Sequence, residues 1–126
     1  MILVRILGGA LVLAHGLIHL LYLANDVREF SFERSWLIPE SARRPLALVL
    51  IAATVAAFAV LALAVWGVPG LSAAWPVLTV VACLLSMALL ILFWNTWLMV
   101  GFAIDIALLA AAVIQPDWLQ QFMSPQ

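Results

Sequence analysis

The chain has 126 residues, 68% of them hydrophobic and 9% charged, with a mean hydropathy of +1.26. Soluble domains run at about 45 to 50% apolar with about a quarter charged, so this composition excludes one and leaves an all-α membrane domain. The formal charge of −1, with every basic residue an arginine, argues against nucleic acid as a partner, and the single Cys83 excludes an intrachain disulfide or a two-cysteine redox pair.

A bilayer-spanning helix takes about 20 mostly apolar residues. The predicted spans are residues 4–24, 46–66, 71–94 and 97–115, joined by short connections, and together they make residues 1–126 a single integral-membrane four-helix bundle. The first run resembles a secretory signal, but Tyr22-Leu23-Ala24 sets a tyrosine where cleavage wants a small residue, so it is read as a retained span. Loop 1, residues 25–45, mixes Arg28, Arg34, Arg43 and Arg44 with Asp26, Glu29, Glu33 and Glu40 and with the aromatic Phe30, Phe32 and Trp36. That blend suits either a segment lying at headgroup level or a solvated loop. Pro45 is then expected at the first position of helix 2. Helix 2 is rich in alanine, with Ala52/Ala56 and Ala53/Ala57 as small pairs one turn apart. Loop 2, residues 67–70, is glycine and proline with no charge, and loop 3 is little more than Asn95-Thr96.

Four crossings put loops 1 and 3 on one face and both termini with loop 2 on the other. Trp36, Trp94 and Trp97 then form the interfacial belt of the first face, and Trp66, Trp75 and Trp118 that of the second. Loop 1 carries four arginines against Arg5 alone on the opposite face, which places loop 1 in the cytoplasm and the protein in the cytoplasmic (inner) membrane as a multi-pass protein.

A helix turns about 100° per residue, so Gly8, His15, His19, Tyr22, Asp26 and Glu29 fall in one sector of helix 1. Ionisable groups in a span face the bundle interior, because exposing one to lipid costs roughly 2.5 to 3.5 kcal/mol on insertion scales. Asp105 lies mid-way along helix 4 as His15 does along helix 1. Equal depth predicts that helices 1 and 4 pack together, with Asp105 against His15 and His19 one turn nearer loop 1. The alternative partners for Asp105 are a backbone carbonyl, Ser86 or Asn95. The intramembrane polar site is therefore His15, His19, Tyr22 and Asp105.

Three functions fit that site. The histidines act as interhelical hydrogen-bonding groups. They form part of a proton or ion path with Tyr22 and Asp105. Or His15, His19 and Asp105 ligate a metal, haem or pigment, the i, i+4 histidines matching the spacing of helical zinc motifs without their glutamate or third ligand. Two histidines on one helix lie on one side of any porphyrin, so they cannot both be its axial ligands. No nucleophile–base pair and no phosphate-cradling glycine loop is present. The expectation is a small non-catalytic membrane protein whose partners are the lipid bilayer and other membrane subunits or further copies of itself. A redox or energy-transducing polar site is the alternative.

His15-Gly16-Leu17-Ile18-His19-Leu20, the Pro39, Ser41, Arg44, Pro45 run before helix 2, Trp94, and Gly101 followed four residues on by Asp105 together resemble a group of small bacterial four-span membrane proteins. That group shows asparagine more often than aspartate at the last position. The resemblance implies the fold and carries no activity with it. In size and span count the chain is more distantly similar to DoxX-like four-helix proteins, some of which accompany quinone-linked oxidoreductases.

Overall fold

A computed structural model describes residues 2–23, 38–93 and 98–124, with only the backbone described at Leu23. Trp36, Trp94 and Trp97, the acidic end of the polar stripe at Asp26 and Glu29, and the Asn95-Thr96 loop lie outside the described residues. The rest is helical, without a strand among the described residues. Helix α1 spans Ile2–Ile18 and tightens into a 3-10 turn over His19–Leu23; α2 spans Glu40–Val65; a 3-10 turn at Ser72–Ala74 leads into α3, Trp75–Leu92; α4 is Met99–Ile114 and α5 is Asp117–Met123. Three stretches, Ile2–Tyr22, Glu40–Val65 and Ser72–Leu92, are long and apolar enough to cross a membrane. The protein is an all-α, multi-pass membrane protein.

Several boundaries differ from the sequence reading, each for a local reason. The α1 helix tightens at His19 because that side chain competes for backbone acceptors: its Nδ1–H donates to the carbonyls of His15 and Gly16, 3.1 Å from each. An uninterrupted α-helix would give those carbonyls to the amides of His19 and Leu20. Helix α2 begins six residues before the expected start, so Pro39 stands in the capping position with φ −64° and ψ 150°, and Pro45 falls inside the helix. Its missing N–H lies so close to the start that a single bond, to the Ser41 carbonyl, is forgone, a loss that membrane helices tolerate. Arg43 Nε donates to the Ile38 carbonyl at 2.9 Å and ties the cap to the first turns.

The fourth expected span is too short, as the helix α4, to qualify by itself. Sixteen residues of α4 extend about 24 Å, less than the hydrocarbon thickness of about 30 Å. Gln115 then adopts a left-handed conformation (φ 47°) and Pro116 starts α5, which leaves α4 at 92°. Met99–Ile114 and Asp117–Met123 meet the criteria for a span only as a bent pair. The 92° corner turns α5 back against the bundle, where Met123 is buried.

Close packing joins α1 to α2, α2 to α3 and α3 to α4. Glycines set the first of these contacts. A Cβ at Gly16 would stand 2.4 Å from Phe58 Cβ, and one at Gly9 would stand 2.1 Å from Trp66 Nε1, which donates to the Ile6 carbonyl. The apolar interior falls into layers. One, at the loop 1 end, holds Tyr22, Ile51, Leu89, Leu90, Phe93 and Leu98. Another, at the opposite end, holds Ala64, Val65, Trp75, Ala112 and Met123, while Phe58, Leu61 and Ala82 form a third. Trp75, expected in the lipid-facing belt, is therefore a core residue at 7% exposed, whereas Trp66 and Trp118 lie at the surface. Ala53 and Ala57 are half-buried, while Ala52 and Ala56 face outward and do not serve packing within the chain.

Candidate functional site

Four polar side chains from three helices meet in the bundle interior. α1 and the turn after it supply His15 and His19, α3 supplies Ser86 and α4 supplies Asp105. Ser86 and Asp105 are fully buried, and His15 and His19 nearly so. His15 Nε2–H donates to Asp105 Oδ1 at 2.8 Å, the ion-pair contact found among the described residues. The other carboxylate oxygen, Oδ2, bonds the Ser86 hydroxyl, and Ser86 Oγ lies 2.7 Å from His19 Nε2. The expected approach of His15 to Asp105 and the alternative bond from Asp105 to Ser86 are thus both present, on different oxygens of one carboxylate.

The expected close packing of helices 1 and 4 takes a different form. These helices meet chiefly through side chains, without the backbone approach seen between chain neighbours. Gly101, one turn before Asp105, makes the room: a Cβ there would lie 3.9 Å from His15 Cε1 and 3.6 Å from Leu90 Cδ1. Phe58 closes the other side. Its ring meets His15 edge-on at a centroid distance of 5.0 Å and lies nearly parallel to His19 at 6.1 Å.

The contacts fix the hydrogen count. Both acceptors of His19 Nδ1 are carbonyls, so that nitrogen carries a hydrogen. The remaining chain, His15 Nε2 to Oδ1, Oδ2 to Ser86 Oγ, and Ser86 Oγ to His19 Nε2, has three links and needs three hydrogens. Neutral His15 and Ser86 supply one each. The third sits on Asp105 as a carboxylic acid, Ser86 then donating to His19, or on His19 Nε2 as an imidazolium, which donates to Ser86 while Ser86 donates to the carboxylate. Both arrangements are neutral overall and interconvert by moving two hydrogens along the Ser86 bridge. Neutrality is what a low-dielectric interior demands of such a cluster.

Tyr22 does not join this chain. Its hydroxyl donates to the Phe93 carbonyl at 3.4 Å, nearer the loop 1 end, and both ring nitrogens of His19 are engaged elsewhere. The stripe read from sequence therefore divides into a His15–His19 pair that meets Asp105 and a tyrosine that belongs to the apolar layer around Phe93. A metal or haem also fits poorly. Binding one at His19, or at the His15 nitrogen that faces Asp105, would break a hydrogen bond, and no set of three ligating side chains gathers among the described residues. Ser86 carried a faint sequence signal as one of two hydroxyl residues, with Thr79, in an apolar span, and Phe58 carried none. Comparison with family models, curated proteins and solved structures yields no match.

Proposed function

We propose that the protein is a small non-catalytic component of a bacterial inner-membrane assembly, acting by contact within the bilayer, with the His15–Asp105–Ser86–His19 junction fixing how α1, α3 and α4 present their outer faces. The observation that carries this reading is the inward closure of the junction: the polar groups named above are spent on one another. The outer surface of α1 is bare aliphatic, with Ile2, Leu3, Leu7 and Leu11 all more than half exposed. Among the described residues, such a molecule offers surfaces for packing and keeps this polar cluster away from solvent. Kinship with the small bacterial four-span proteins, and loop 1 on the cytoplasmic side, belong to the same proposal and rest on the motif resemblance and the arginine bias. Extraction of native membranes in mild detergent, followed by sizing and cross-linking, tests it. The protein should migrate in a complex larger than itself, and a stable isolated monomer with its own turnover refutes the reading.

A second reading has one specific observation behind it, the Ser86 bridge along which a hydrogen passes between Asp105 and His19. In a proton-handling system this is the segment that would switch. Proton flux into liposomes carrying the protein should then fall on Asp105→Asn; equal flux with and without the carboxylate removes this reading and leaves the first.

A further inference from the structure

Arg5 lies ten residues before His15 on α1, about 15 Å nearer the N-terminal end at 1.5 Å per residue, which puts it at headgroup depth if His15 is central. Only 8% of it is exposed. Nη2 donates to the Ser124 carbonyl at 3.2 Å, and the guanidinium carbon stands 5.7 Å above the centre of the Phe122 ring. These two contacts pin the end of α5 to α1. They leave two things unexplained. Nε is buried with no hydrogen-bond partner, and no carboxylate pairs with the guanidinium among the described residues. A guanidinium stays charged in a protein, so the charge is real and uncompensated there.

That cation lines a half-open cavity of about 610 Å³ whose other walls include Ile2, Ile6, Trp66, Pro69 and Ala73. Two details keep the approach to the guanidinium clear. Gly67 holds φ +92°, and a Cβ on it would stand 3.1 Å from Nη1. Ser72 spends its hydroxyl on the Ala64 carbonyl at 2.8 Å and does not compete for an anion. One buried cation with an empty donor, an apolar remainder, an indole at the rim and a position at the bilayer surface match an amphiphile with an anionic head.

We propose that this cavity binds an anionic phospholipid, its phosphate on the Arg5 guanidinium and an acyl chain running past Ile6 towards the bilayer centre. The phosphate supplies the counter-charge that the described residues do not. The acyl chain covers Ile6, which is 52% exposed. A free phosphate ion would satisfy Arg5 and leave the aliphatic walls wet. The proposal stands apart from the role of the mid-bilayer junction and can fail without it.

Native mass spectrometry of the delipidated full chain, titrated with phosphatidylglycerol, phosphatidylcholine of the same acyl chains, and inorganic phosphate, provides the test. Phosphatidylglycerol should bind at least about fivefold more tightly than phosphatidylcholine, the factor expected of one basic residue at a headgroup. Arg5→Gln should erase the preference and Arg5→Lys should retain part of it. Ala73→Trp, which fills the cavity and spares Arg5, Phe122 and Ser124, should weaken both lipids. Protection of buried Cys83 from a maleimide shows that each variant is folded. Equal binding of the two lipids, an unchanged preference in Arg5→Gln, or full displacement of phosphatidylglycerol by an equal concentration of inorganic phosphate overturns the proposal.

Discussion

Replacing Asp105 with alanine breaks two hydrogen bonds, one with His15 Nε2 and one with Ser86. Bonds of this kind between membrane helices average about 0.6 kcal/mol each, so their direct loss is about 1 kcal/mol. The larger cost is the donor left behind. Ser86 keeps a partner, since His19 Nε2 is 2.7 Å away and accepts its hydrogen once neutral. His15 has none at Nε2, and an unsatisfied buried group costs about 1 to 3 kcal/mol, for a total of about 2 to 4 kcal/mol. His15→Ala has a similar cost, because it strands Asp105 Oδ1 and opens space beside the Phe58 ring. The double variant strands neither. It should therefore cost at least about 2 kcal/mol less than the two single changes added together, because each single change leaves one stranded group worth about 1 kcal/mol or more and the double change leaves none. The assay is reversible unfolding in mixed micelles followed by tryptophan fluorescence, in which the unfolded state keeps its helices and the cycle reports contacts between them. Additivity within about 0.5 kcal/mol would refute the pairing argument.

Three further outcomes are checked in the same assay. Ser86→Ala should destabilise by about 1 to 3 kcal/mol, because it breaks the bridge between Asp105 and His19, whereas Thr79→Val should change stability by less than about 0.5 kcal/mol, its hydroxyl serving only the Trp75 carbonyl one turn back. Gly16→Ala should cost about 1 to 3 kcal/mol by forcing α1 off Phe58, while Gly8→Ala, whose new methyl meets Val65 Cγ1 at an ordinary 3.6 Å, should be neutral or stabilising. Gln115→Gly should stabilise by up to about 1 kcal/mol, since the corner before α5 needs a left-handed residue and glycine adopts that conformation without strain; a loss of stability would mean that the Gln115 side chain matters more than its backbone.

The three long helices were legible because a continuous apolar run of span length has one stable form in lipid, an α-helix. Their ends were less so. Pro45 reads as a first-turn proline from sequence, and only the capping conformation of Pro39 shows that α2 starts before it. The meeting of His15 and Asp105 followed from depth alone, as both lie mid-span. The bond to Ser86 did not, because α3 carries only Thr79 and Ser86 as polar groups, too weak a pattern to set its rotation against α4. Tyr22 shows the limit of a stripe argument. Once the chain tightens after Ile18, a spacing of three residues no longer holds the same face at the same radius. The burial of Arg5 was invisible for another reason: it depends on α5 folding back, and so on the dihedral angles of one glutamine.

The short fourth helix, with an acid at its centre, bears on how the chain enters the membrane. A carboxylate mid-way along a helix opposes insertion by about 2.5 to 3.5 kcal/mol, and α4 has only sixteen residues with which to offset it. Its partners come earlier in the chain. His15, His19 and Ser86 precede Asp105 in the chain, so α4 meets a hydrogen-bonding site for its acid on the helices that come before it. Insertion and assembly are then a single event for this helix. A chain truncated before Met99 would leave His15 and Ser86 without the carboxylate that both contact, an unfilled polar centre among apolar helices.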